Sequence, residues 1–134
     1  MDREHIVPLS TEALNVLKAL PREKGNGHCF IGARPGAPLQ KLAMITLIQR
    51  RKLGFTVHGF RSSFRTWAAE RTSFPPDVIE MSLAHLVGGE TERAYNRSQL
   101  VERRRPLMEA WAAFVVGKEA KSAQVIPLHE GKGL

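Results

Sequence analysis

Residues 56–95 read TVHGFRSSFRTWAAERTSFPPDVIEMSLAHLVGGETERAY, and this stretch holds the clearest periodicity in the chain. After Thr56, the apolar residues Phe60, Phe64, Trp67 and Ala68 recur at i, i+4, i+7 and i+8. That spacing predicts a helix with one core-facing stripe, flanked by Arg61 and Arg65. The pair Pro75 and Pro76 ends this element and can open another, because proline is tolerated in the first helical turn. Val78, Ile79, Met81 and Leu83 then continue the apolar pattern, until Gly88 and Gly89 break the chain ahead of a polar turn around Tyr95.

Working towards the N-terminus, Leu39 to Leu53 carries Leu42, Ile45 and Ile48 at helical spacing, with Gly54 placed to close the helix. A Gly25, Asn26, Gly27 turn precedes residues 29–31, read as a short buried strand with Cys29 as a small buried hydrophobe. Further back, Ile6 to Leu9 reads as a strand, confined by Pro8 to a sheet edge or a strand end. Ser10 is a good N-cap for a helix with Glu12 in its first turn and Leu14, Leu17 and Leu20 along one side, stopped by Pro21. Towards the C-terminus, Leu100, Leu107, Trp111, Phe114 and Val115 predict a last long helix that Pro106 should kink or begin. The expected fold is mainly α with a small β element. Residues 1–116 form the expected domain, and 117–134 a flexible tail in which Val125 to Leu128 is either an accidental apolar patch or a docking strand.

At 134 residues the chain can bury one core and is too short to suggest two. Hydrophobic residues make up 43% and charged residues 25%, which excludes a disordered chain, and no apolar run approaches a membrane span. The polar opening residues argue against an export signal, so cytoplasmic residence is expected. A single cysteine rules out an internal disulfide. The formal charge of +7 favours a polyanionic partner such as nucleic acid.

Four residues carry the candidate chemistry: His58, Arg61, His85 and Tyr95. Each has a plainer reading when taken singly. His58 and Arg61, three apart, could be a solvated surface pair, His85 a cationic helix cap, and Tyr95 an amphipathic surface residue. Two imidazoles, a guanidinium and a phenol nonetheless make a kit for attacking a phosphodiester.

In order and spacing, His-x-x-Arg at 58–61, Leu-x-His at 83–85 and a tyrosine ten residues later resemble the catalytic signature of the tyrosine recombinases, the phage-integrase family. The resemblance extends to HIVPLS at residues 5–10 and RRRPLMEAWAAF at residues 103–114, and covers residues 5–116. It implies a DNA breaking-rejoining fold in which Tyr95 attacks a DNA phosphodiester, becomes linked to the 3′ phosphate and frees a 5′ hydroxyl. It also implies that Arg61 holds the nonbridging oxygens, while His58 and His85 hydrogen-bond the phosphate and help move protons. Such chemistry needs neither a metal nor another cofactor, because arginines supply the positive charge. Arg65, Arg93 and Arg97 are expected to grip backbone phosphates away from the scissile one. The partner is double-stranded DNA, on which the family works as tetramers, and the setting is a mobile element.

The family also carries a further catalytic arginine, and a lysine on a β-hairpin, upstream of the segment resembling His5 to Ser10. Neither has a counterpart here, so the expectation is a truncated catalytic domain. A noncatalytic DNA-binding remnant with an idle Tyr95 is the alternative from another class. A helix-turn-helix regulator is weaker, since no predicted helix pair presents a base-reading face.

Overall fold

The helix predicted after Thr56 forms, and its first turn shows why. Thr56 is extended (φ −120°, ψ 158°), and its hydroxyl accepts the amide of Gly59 at 3.1 Å, satisfying one of the donors that every helix start leaves free. The computed structural model describes residues 5–85 and 97–118. Among these it contains α1 (Thr11–Ala19), α2 (Ala43–Arg50), α3 (Val57–Arg71), α4 (Pro76–Ser82) and α5 (Arg97–Val115). No helix among the described residues is long and apolar enough to cross a membrane.

The core lies where α4 and α5 cover α3 from Phe64 onward. Phe64, Trp67 and Ala68 of α3 meet Val78, Ile79 and Leu83 of the α4 segment and Leu107 of α5, all buried. Trp111 and Phe114 close the aromatic side of this cluster, with ring centroids 5.0 Å and 5.5 Å from Trp67. Phe60 departs from the expected stripe: it is 57% exposed and makes only an edge contact with Phe55. Pro75 and Pro76 act as predicted, with Pro76 in the first turn of α4. Pro106 does not begin the last helix but lies inside α5. Proline there removes one backbone bond, yet Leu100 and Leu107 on either side of it are both buried, so packing holds both halves of the helix in place.

Ser10 caps α1 as expected, its hydroxyl accepting the amide of Ala13 at 3.1 Å. Far along the chain, Glu109 of α5 accepts both the amide and the hydroxyl of Thr11, at 2.8 and 3.1 Å. This carboxylate at a helix start also complements the helix dipole, and so ties α1 to α5.

The small β element is not formed. Among the described residues the only β feature is a single bridge between Ile31 and Pro38. Ile6 to Leu9 is irregular, without a ladder partner; the carbonyl of Ile6 instead accepts from Arg104 at 2.7 Å. Cys29 is exposed, as is Phe30, because residues 30–39 close a short loop rather than enter a sheet. Within it, Gly32 donates to Ala37 at 2.8 Å and Leu39 to Phe30 at 2.8 Å. A Cβ on Gly32 would stand 2.3 Å from the Pro38 carbonyl oxygen, so the loop needs glycine there. The helix expected over Leu39 to Leu53 is shorter, and Gly54 does not close it. Lys52 takes the left-handed conformation (φ 51°), while its amide and that of Leu53 satisfy the carbonyls of Gln49 and Ile48.

Trp67→Ala is expected to cost about 3–5 kcal/mol of unfolding free energy, and Phe60→Ala less than about 1 kcal/mol. Urea titrations of the two variants, read as midpoint shifts at constant slope, check this contrast.

Candidate functional site

The site is built at the C-terminal end of α4. Ala84 adopts the left-handed conformation (φ 58°), donating its amide to Met81, and the following amide, His85, donates back to the Glu80 carbonyl at 3.0 Å. This is the bonding pattern with which many helices end, usually on glycine. It folds the chain back so that the His85 ring lies against the side chain of Glu80, with Nδ1 hydrogen-bonded to Oε2. The other carboxylate oxygen of Glu80 accepts from Nε of Arg65 on α3 at 2.7 Å.

Arg61, one turn before Arg65, closes the arrangement. Its Nη2 lies 2.5 Å from the Leu83 carbonyl oxygen and 2.5 Å from Nε2 of His85. A guanidinium nitrogen can only donate, so Nε2 is the acceptor and the ring proton sits on Nδ1, donated to Glu80. Arg65, Glu80, His85 and Arg61 therefore form one continuous polar chain across α3 and α4. The hydrogen bond from His85, and after it the one from Arg65, holds the Glu80 carboxyl below the ordinary carboxylate pKa.

Of the candidate residues, the structure thus joins Arg61, His85 and Arg65. His58 stands exposed in the first turn of α3, on the side of the helix that Arg61 occupies by spacing. Tyr95 and Arg93 lie outside the described residues, as does the side chain of Arg97, whose backbone opens α5. Among the described residues no group of three or more His, Cys, Asp or Glu side chains could hold a metal ion.

Two residues were not singled out from the sequence. Glu80 gives no helical signal, because an acid and an imidazole five apart meet only through the turn at Ala84. Arg104 looks like part of a surface run of arginines at 103–105. Its place four after Leu100 and three before Leu107 does put it on the buried stripe, and that spacing was legible. It is 4% exposed and donates to the carbonyls of Leu100, Met81 and Ile6.

The lowered Glu80 pKa carries a sign. A carboxyl that titrates lower in the folded than in the unfolded chain adds stability that is complete above the ordinary value of 4.5 and disappears as pH falls through the folded value. The stability that Glu80 adds over Glu80→Gln through its own ionisation is therefore expected to shrink as pH falls below the ordinary carboxylate value of 4.5. Urea unfolding at stepped pH measures it.

No family model matches the chain, and no solved structure matches it. Curated proteins do. The chain is 39% identical over 136 residues to the prophage integrase IntA of Escherichia coli (strain K12), an alignment covering 98% of this chain and 32% of that protein. It is 32% identical over 115 residues to the prophage integrase IntZ of the same organism, covering 82% of this chain and 28% of that protein. It is 31% identical over 118 residues to the integrase of Shigella phage Sf6, covering 83% of this chain and 30% of that protein. The chain thus spans about a third of the length of the curated relatives it matches. With nearly its whole length aligned to an integrase, the chain belongs to the phage and prophage integrase family.

Proposed function

We propose that this chain carries site-specific DNA recombination chemistry of the tyrosine type, breaking and rejoining strands through a 3′-phosphotyrosyl intermediate. The observation that carries the reading is the contact between Arg61 and His85, which brings a phosphate-binding fork and an imidazole together from two helices. The integrase names of the relatives support DNA as the partner.

In this reading the phenol oxygen of Tyr95 attacks the phosphorus of a DNA strand. A bond forms between that oxygen and phosphorus, the bond from phosphorus to the 5′ oxygen breaks, and the 5′ oxygen leaves as a hydroxyl. The phenol loses one proton and the leaving oxygen gains one, so the step is balanced without a nucleotide or metal. A phenol with an ordinary pKa of about 10 is a weak nucleophile at neutral pH and needs cationic neighbours to favour its anion. Arg61 would hold the nonbridging oxygens as charge builds on them. His58 and His85 would hydrogen-bond the same phosphate and relay the proton. Arg65, Arg93 and Arg97 would hold flanking phosphates, with Arg65 sharing its guanidinium with Glu80. Assembly as a tetramer on paired DNA belongs to the same proposal.

The formal charge of +7 alone favours a second reading, DNA binding without cleavage. Covalency separates the two. With nicked suicide duplexes drawn from a genomic library, the wild type is expected to form an adduct that survives denaturing electrophoresis and that Tyr95→Phe abolishes. Arg61→Ala should lower its yield about 10²–10³-fold. If the wild type binds DNA in a salt-dependent way but forms no adduct, the cleavage reading fails. Separately, Arg97→Ala should reduce the salt slope of binding by about one unit, and an unchanged slope would remove Arg97 from the phosphate contacts.

A further inference from the structure

We propose that Glu80 is a positioning residue for His85: its carboxylate keeps the imidazole proton on Nδ1 and turns Nε2 towards Arg61, where a phosphate oxygen would bind. This rests on the cleavage reading only for the purpose the positioning serves; the positioning itself is a property of the protein alone.

Two contacts hold the ring, and a backbone bond places it. The turn at Ala84 returns the His85 amide to the Glu80 carbonyl, Oε2 of Glu80 takes the Nδ1 proton, and Nη2 of Arg61 meets Nε2. Arg65 fixes the opposite carboxylate oxygen at 2.7 Å, so the acceptor offered to the ring is itself held in place. Remove the carboxylate and Nδ1 loses this acceptor. Neutral histidine in water favours the other tautomer, with its proton on Nε2. In this place that tautomer would set an N–H against the N–H groups of Arg61, and the contact between the two would open.

Stability alone does not account for the arrangement. Glu80 is 26% exposed and its Arg65 partner 62% exposed, and ion pairs in such settings contribute little to folding. What the carboxylate does control is the state of the ring. Among the described residues, the charged groups around His85 are Arg61 and Arg65 from α3, which oppose an imidazolium, and Glu80 from α4, which favours one. When a phosphate oxygen takes over the Arg61 donor, Nε2 is left without its partner. The ring can then accept a proton on Nε2 and donate it to that same oxygen, with Glu80 as counter-charge. Glu80 so supports both the resting acceptor and the donor that a bound phosphate needs.

Long-range ¹H–¹⁵N NMR of the His85 ring reads the tautomer directly, without DNA. In the wild type the neutral ring is expected to carry its proton on Nδ1. Glu80→Ala should move the population to the Nε2-protonated form. Glu80→Gln, whose carbonyl can still accept from Nδ1, should keep the wild-type tautomer. Backbone amide spectra matching the wild type establish that both variants are folded, and Glu80→Gln preserves shape if the alanine variant does not. A ring still protonated on Nδ1 in Glu80→Ala would overturn the proposal, as would a wild-type ring protonated on Nε2. Adduct formation should fall about 10–100-fold in Glu80→Ala, by analogy with the carboxylates that orient metal-ligating histidines, and recover in part in Glu80→Gln. A tautomer shift in Glu80→Ala, with no adduct from the wild type, would uphold the positioning role while rejecting cleavage.

Discussion

The free carbonyls at the end of α4 are the constraint on which this structure turns. A seven-residue helix is too short to persist through its own hydrogen bonds, and its last turn leaves acceptors unfilled. Here they are filled from three directions. The turn itself returns the amides of Ala84 and His85, Arg61 reaches Leu83 from α3, and Arg104 reaches Met81 from α5. Val78, Ile79 and Leu83 meanwhile bury the other side of the same short segment. The point where α3, α4 and α5 meet is therefore both the core of the fold and the place where the candidate site emerges at the surface.

The two arginines at that point have different fates. Arg104 is sealed in, and because its acceptors among the described residues are neutral carbonyls its charge is balanced there by dipoles rather than by a carboxylate. The C-terminal end of a helix suits a cation in that way, and burial lowers the Arg104 pKa without removing its charge. Through Ile6 it also holds the opening segment, which has no strand partner among the described residues. Arg61 makes the same kind of carbonyl bond but is exposed, so water or an anion can compete for its remaining donors. A buried arginine of fixed geometry and an exposed one free to rebind share one helix end, and only the second can serve a phosphate.

Much of this was legible in the sequence. The cap at Ser10, the proline start of α4, and the stripe through Phe64, Trp67 and Ala68 follow from local chemistry and recur in the fold. The failures share one cause: a pattern argument assumes that every apolar stripe finds a cover. Leu42 is 64% exposed and Phe60 57%, so the periodicity was real while the burial inferred from it was not. The strands failed in a related way, since Ile6 to Leu9 has strand chemistry but no partner among the described residues. For the site, the signature residues Arg61 and His85 could be named from their order along the chain. Glu80 could not, because its partnership with His85 depends on a left-handed alanine that no propensity rule places there.

That alanine raises the question of whether strain marks the site. A left-handed L-residue costs about 1–2 kcal/mol, and Ala84 is one of two such residues among those described. The other, Lys52, ends α2 with the same pair of backbone bonds and no polar cluster beside it, so a strained cap is not in itself a sign of function. What differs is the following residue. After Lys52 comes Leu53, a half-exposed apolar side chain with nothing to orient. After Ala84 comes His85, whose ring must meet a carboxylate on its own helix and a guanidinium on another. Glycine would end α4 with less strain, but it would also admit backbone directions that a Cβ forbids and so leave the placement of the next residue less constrained. The cost of the alanine is thus set against a narrower range of ring positions, which matters only where the next side chain has to be placed.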